Sequence, residues 1–202
     1  YLPKAYDGKR RWPLLLAFCP GADGAGAVTR HQRAAETYGW IVAGSNVSKN
    51  GPFEPNQEAA RVMLADVRAR FAIDDTRLYA CGISGGACVA NWIAQSGVAE
   101  FAGVFLHARG DFTQVPKGPG KTFHLLAPGT TDFNLDESVR YLVSAEKVGA
   151  TAVLDVQPGG HEWASETACV AFLRFAEIEN AFASGAIDDR TAKLVGEEFD
   201  EL

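Results

Sequence analysis

Short apolar runs alternate along the chain with stretches in which apolar residues recur at helical spacing. Uncharged runs of this kind are typical of strands buried on both faces of a sheet. The pattern therefore predicts an α/β fold, with a mostly parallel central sheet and helices on both faces. The predicted strands are residues 14–19, 41–45, 78–82, 104–107, 123–127 and 152–156.

Helical periodicity separates these runs. It predicts two apolar stripes that face the sheet, one made of Ala60, Met63, Val67 and Phe71, and one made of Leu135, Val139, Leu142 and Val148. Ala168, Phe172 and Phe175 predict a closing helix. After it, residues 180–202 form an acidic C-terminal tail or helix.

Composition narrows the class of protein. A chain of 202 residues predicts a single domain over residues 1–202. A net charge of -6 without a basic run argues against a nucleic-acid partner. Apolar stretches are much shorter than the roughly 20 residues that span a bilayer, so no membrane span is expected. The chain begins at Tyr1, which is compatible with a cytoplasmic location and with export after removal of a leader, so localisation stays open.

Four cysteines do not suggest a metal site or a redox pair. Cys19 and Cys81 lie in strand-like runs, and Cys88 lies in a small-residue segment, which favours buried free thiols. The chain has no C-x-x-C motif and no pair of histidines four residues apart. We expect no metal and no cofactor.

The strongest chemical motif is Gly-x-Ser-x-Gly at residues 82–86, with Ser84 at its centre. It lies between a predicted strand and a small-residue run of helical character, the context in which such a turn exposes a nucleophilic serine. The alternative is a glycine-rich turn without chemistry. The flanking strand and helix favour the nucleophile.

A serine hydroxyl needs a base to accept its proton. His161 follows the last predicted strand through a glycine-rich loop at the carboxyl edge of the sheet, where Ser84 also lies. His107 is the main rival, because its strand ends at the same edge. His31 is predicted in a surface helix and His124 beside a strand end, and both are expected to be structural or solvated.

The imidazole in turn needs a carboxylate partner. Asp132 follows the strand at residues 123–127, and so lies at the same edge. Asp136 is the alternative. It falls about one helical turn later, where an acidic residue near a helix N-terminus is favourable without any catalytic role.

The chain order Ser84, Asp132, His161 resembles that of the α/β-hydrolases. Segments that resemble the polyhydroxybutyrate-depolymerase and feruloyl-esterase group are residues 1–3, 7–8, 12–14, 20–24, 82–86, 129–132 and 158–163. This resemblance implies an oxyanion hole made by the backbone N–H groups of Ala22 and Gly85. It also implies that the strands that normally precede residue 14 are reduced here, either because upstream residues are missing or because this is a minimal version of the fold. In place of the group's usual His-Gly, the loop before Ala22 starts with Pro20-Gly21, as in cutinase-like enzymes.

These residues predict a carboxylic ester hydrolase that works through an acyl-enzyme on a small-molecule or polymeric ester. Thioester or amide hydrolysis by the same triad is an alternative, because the fold does not fix the leaving group. A non-catalytic, hydrolase-like binding protein is a second alternative.

The connection at residues 108–121 is too short to build a helical lid, so an open site without a lid domain is expected. Trp163, two residues after His161, is predicted either to contact substrate or to pack under the final helix. An open site beside an aromatic ring would suit bulky, aromatic or polymer-borne esters.

Overall fold

The computed structural model describes residues 1–109, 115–116, 118 and 120–200, and side chains as far as residue 196. In this part of the chain six parallel strands form one sheet in the order β2-β1-β3-β4-β5-β6. The strands are β1 Trp12–Phe18, β2 Ile41–Gly44, β3 Ile73–Ile83, β4 Gly103–His107, β5 Phe123–Ala127 and β6 Ala152–Leu154. All six predicted strands are present, and the predicted fold class is confirmed.

Helices cover both faces of this sheet. They are α1 Gly24–Tyr38, α2 Phe53–Arg70, α3 Gly85–Gln95, α4 Leu135–Lys147, α5 Glu166–Ser184 and α6 Asp189–Asp200. Helices α1 and α5 pack together on one face, while α2, α3 and α4 pack on the other. Because both faces are covered, every residue of β1 is buried, which explains why the run shows no polar alternation.

Strand β3 is longer than predicted. It begins at Ile73, five residues before the expected start at Leu78, and its first half is polar and partly exposed. Pairing with β1 shifts register between Trp12 and Leu14, which pair with Ile73 and Leu78, so the polar residues 74–77 fall at this irregularity. The strand was predicted from its uninterrupted apolar run, which marks only the buried part of a strand. The polar residues at the start of β3 were therefore not predicted to belong to it.

The predicted helical stripes are partly wrong. In α2 the buried side chains include Leu64 in place of the predicted Met63, which is half-buried. In α4, Val139 is 41% exposed, whereas Tyr141 is buried. Tyr141 therefore lies on the buried face of the helix, where its hydroxyl donates to Asn91 in the core, 2.9 Å away.

Within the acidic C-terminal segment, residues 189–200 form helix α6. Leu194 of α6 is buried, and Arg190 forms an ion pair of 3.2 Å with Glu177 of α5. Among the described residues, no helix combines the length and the apolar character needed to cross a membrane.

All four cysteines are free, as predicted. Cys81 and Cys169 are buried, while Cys19 and Cys88 are half-buried.

Candidate active site

Backbone strain concentrates at the carboxyl edge of the sheet. Among the described non-glycine residues, positive φ occurs at Ala22 (59°), Ser84 (53°) and Ala108 (44°). These residues follow β1, β3 and β4, three neighbouring strands. Strained conformations persist where the surrounding structure imposes them, and they cluster at functional sites. This edge is therefore where a site is expected.

Ser84 forms the sharp turn between β3 and α3 that the motif predicts. Its backbone has φ 53° and ψ -122°, and its N–H donates to the carbonyl of His107 at 3.0 Å. The flanking glycines allow the backbone to pack closely. A Cβ on Gly82 would lie 2.3 Å from the carbonyl oxygen of Gly86, and one on Gly86 would lie 2.2 Å from that of Phe18. Any larger residue at either position would push the turn away from the sheet.

His161 and Asp132 are hydrogen-bonded to each other. The His161 Nδ1–H group donates to Asp132 Oδ1 at 2.9 Å. The Asp132 side chain is fully buried, whereas 25% of the His161 side chain is exposed. Because Nδ1 carries the proton, the neutral imidazole presents the Nε2 lone pair, the form that a general base requires.

Two loops hold this pair together. The N–H of Thr130 donates to the carbonyl of Gln157 at 2.8 Å, and that of Thr131 donates to Gly159 at 2.9 Å. The side chain of Asn134 donates to the carbonyl of Ala108, 3.1 Å away, and thereby ties the Asp132 loop to the end of β4. The acid and the histidine are thus fixed by backbone pairing as well as by their own bond.

The described structure contains no hydrogen bond between the Ser84 hydroxyl and His161. In free enzymes the bond between nucleophile and base is often long and tightens when substrate binds. Asp136, the alternative acid, is exposed in the first turn of α4 and makes no hydrogen bond to His161.

The two predicted oxyanion donors differ in availability. The N–H of Ala22 already donates to the carbonyl of Ser48 at 2.9 Å and to that of Cys19 at 3.1 Å. The sequence did not reveal this engagement, because it depends on pairing between two distant loops, at Gly21 and Lys49. In contrast, the N–H of Gly85 has no acceptor among the described residues, as expected for the first residue of a helix.

Two aromatic residues lie near His161, and they differ in exposure. Trp163 is half-buried, with its ring edge-on to those of His107 and His31 at centroid distances of 4.8 Å and 5.7 Å. This environment favours the packing role of the two roles that the sequence left open. Phe133, which the sequence analysis missed, is 76% exposed and stacks on His161. The feature of the sequence that could have identified Phe133 is its position directly after the predicted acid, Asp132.

The prediction that His31 lies on the surface is wrong. His31 is only 1% exposed and lies beside His107 and Cys169, which are also buried. One ring nitrogen of each histidine and the Cys169 sulfur lie within 4.8 Å of one another, so these residues are the candidate metal ligands of the described chain. Burial lowers the pKa of His31 to about 4 and holds that of His107 well below its ordinary value. His107 is thus buried and neutral, which does not suit the role of base for which it was the main alternative to His161.

A cavity of about 380 Å³ borders the Ser84 turn. Its walls are Lys49, Asn50, Gly51, Phe53, Asn56, Gly85 and Cys88. The predicted lidless connection at residues 108–121 lies largely outside the described residues, which omit 110–114, 117 and 119.

No protein-family model matches this sequence, and a search of curated proteins finds no match. Solved structures do match. A carboxylesterase from Bacillus cereus is 17% identical with a TM-score of 0.68, and the match covers 89% of this chain and 93% of that one.

Two further neighbours have comparable similarity. A ferulic acid esterase is 15% identical with a TM-score of 0.66, over 84% of this chain and 86% of that one. An arylesterase is 11% identical with a TM-score of 0.69, over 84% of this chain and 78% of that one. At these identities the likeness establishes the fold, so the chain has the α/β-hydrolase fold that is found in carboxylesterases, feruloyl esterases and arylesterases.

Proposed function

We propose that this protein is a carboxylic ester hydrolase with Ser84 as nucleophile, His161 as general base and Asp132 as the acid that orients it. The observation that carries the proposal is the 2.9 Å bond between His161 and Asp132 at the same sheet edge as the strained Ser84 turn. The proposal is supported by the position of these three residues in loops at one edge of the sheet, and by the hydrogen bond that joins the histidine to a buried carboxylate. We take residues 1–202 as one catalytic domain, which the single sheet supports.

The reaction runs in two halves. The Nε2 atom of His161 accepts the Ser84 hydroxyl proton while the oxygen attacks the ester carbonyl. The tetrahedral intermediate collapses, the ester C–O bond breaks, and His161 returns its proton to the departing alcohol. Water then attacks the acyl-enzyme with His161 again as base, which releases the acid and restores Ser84. Buried Asp132 stabilises the imidazolium in each half.

Gly85 is the main oxyanion donor in this proposal, because its N–H has no acceptor among the described residues. A preorganised N–H at a helix N-terminus stabilises the charge that develops on the carbonyl oxygen. Ala22 contributes as the second donor only if its bond to the Ser48 carbonyl opens or is shared when substrate binds. The Gly85 N–H is therefore available before substrate binds, whereas the availability of the Ala22 N–H depends on the position of the Ser48 carbonyl.

The substrate class we propose is bulky, aromatic or polymer-borne esters. Phe133 offers an exposed aromatic face beside His161, and the cavity at Gly85 has both an aromatic and polar walls. Two structural neighbours are named as a ferulic acid esterase and an arylesterase, which fits this class.

A panel of matched substrates tests the proposal. Wild-type protein is assayed with acetyl and feruloyl esters of one alcohol, with the corresponding thioesters and with anilides. We expect turnover of esters with a preference for the aromatic acyl group, slower turnover of thioesters and none of anilides. Covalent labelling by a fluorophosphonate reports the nucleophile independently of substrate choice. Absence of both turnover and labelling would instead favour a non-catalytic binding protein.

A further inference from the structure

His107 contacts both halves of the proposed active site. Its backbone carbonyl accepts the Ser84 N–H at 3.0 Å, and its side-chain Nδ1 accepts the Ala164 N–H at 3.3 Å. Ala164 is three residues after His161, in the same loop. We propose that His107 is a positioning residue, which fixes the loop that carries His161 relative to the turn that carries Ser84. This inference rests on the proposed function and adds a residue to it.

The imidazole of His107 is held rigidly. It is fully buried, and three rings surround it, those of Trp163 at 4.8 Å, Phe172 at 5.7 Å and His31 at 5.8 Å between centroids. Trp163 belongs to the His161 loop, so this packing and the Ala164 bond act on the same segment. A rigid acceptor fixes the loop more closely than a mobile side chain would.

The contacts of the two histidines determine where their protons lie. Since Nδ1 of His107 accepts a hydrogen bond, the neutral ring carries its proton on Nε2. In His31, Nδ1–H donates to the carbonyl of Ala27 at 2.9 Å, which leaves its Nε2 as a lone pair. Neither Nε2 has a hydrogen-bond partner among the described residues. In this arrangement His107 is protonated on Nε2 and His31 on Nδ1. The Nδ1 lone pair of His107 therefore stays available to accept the hydrogen bond from the Ala164 N–H.

The same tautomer argues against a metal held by His31, His107 and Cys169. A metal at His107 Nε2 would displace the proton there, and the neutral ring would then carry its proton on Nδ1, the atom that accepts the Ala164 N–H. A metal at this nitrogen is therefore incompatible with the bond from Ala164, and the positioning role accounts for that bond.

Three substitutions separate positioning from packing. Asn places its amide oxygen close to the position of Nδ1, Gln places its amide near Nε2, and Phe keeps the ring without an acceptor. In His107→Phe and His107→Gln, we expect kcat for a soluble ester to fall about 10- to 100-fold with KM nearly unchanged, because loss of alignment affects the transition state. His107→Asn should recover most of the lost kcat. Circular dichroism and urea unfolding confirm that each variant is folded.

The outcomes distinguish this inference from the proposed function. If wild-type protein neither cleaves esters nor reacts with a fluorophosphonate, the proposed function fails. If wild-type protein is active and folded His107→Phe stays within 2-fold of it, or if His107→Asn is no better than His107→Gln, the positioning role is overturned.

Nitrogen NMR of wild-type protein gives a readout that needs no variant to fold. We expect His107 to be protonated on Nε2 and unprotonated on Nδ1. The opposite tautomer, or one equivalent of zinc found by elemental analysis of purified protein, would overturn the inference.

Discussion

Phe133 stacks on the imidazole of His161, with ring centroids 4.2 Å apart and planes 22° apart, while 76% of Phe133 remains exposed. An apolar ring that the fold leaves in water beside a proposed catalytic group gains by covering its free face with a ligand. We therefore assign to Phe133 the aromatic contact that the sequence suggested for Trp163.

Phe133→Ala should raise KM for an aryl or feruloyl ester about 2- to 10-fold, the magnitude of one aromatic pair. KM for an acetyl ester of the same alcohol should change little. Phe182→Ala is the matched control, since Phe182 is also exposed (56%) but lies in α5. Equal increases for both esters would count against a substrate contact.

Trp163→Ala should act mainly on stability. The ring is half-buried against His31 and His107, so we expect the free energy of unfolding to fall by about 2 kcal/mol, less than for a fully buried tryptophan. Urea titration at pH 7 measures this change. Unchanged stability with a selective rise in KM for aromatic esters would assign Trp163 to the substrate instead.

Asp132→Asn should lower kcat by about 10³- to 10⁴-fold, because the amide favours the wrong tautomer of His161 and does not stabilise the imidazolium. Asp136→Asn is the control, since Asp136 is exposed in the first turn of α4. It should leave kcat almost unchanged. The reverse ranking of the two variants would make Asp136 the acid.

Buried histidines should make the fold sensitive to acid. Burial lowers the pKa of His31 and that of His124 from 6.5 to about 4 in the folded protein. Between these values the unfolded chain binds protons at these rings and the folded chain does not. The free energy of unfolding therefore decreases as pH falls from 6.5 to 4, by on the order of 3 kcal/mol for each histidine.

Urea unfolding at a series of pH values tests this dependence. In His31→Gln the slope of the free energy of unfolding against pH should be smaller by close to one proton. A slope identical to that of the wild type would show that His31 does not contribute.

The strands and the serine turn could be predicted because their signals are local. Burial on both faces produces uninterrupted apolar runs, and the close approach at Gly82 and Gly86 excludes larger residues. Asp132 and His161 followed from the rule that parallel strands end at one edge. The polar first half of β3 contains neither an apolar run nor a motif, so it could not be predicted in the same way.

Features set by tertiary contacts were harder to predict. Burial of His31 was in fact detectable, because Ala27, His31 and Ala34 lie at helical spacing, but the polar neighbours of His31 obscured the stripe. The state of the Ala22 N–H depends on the distant carbonyl of Ser48. Exposure of Phe133 follows no periodicity at all.

The most direct test of the central claim is the turnover of an aryl ester by Ser84→Ala relative to wild-type protein. Ser84 is half-buried in the turn at the sheet edge and its hydroxyl is small, so removal of the hydroxyl should leave the fold intact, as circular dichroism would verify. We expect kcat to fall by on the order of 10⁶-fold, the usual cost of losing a triad nucleophile. A folded, pure Ser84→Ala protein that retains even a tenth of wild-type turnover would contradict the account.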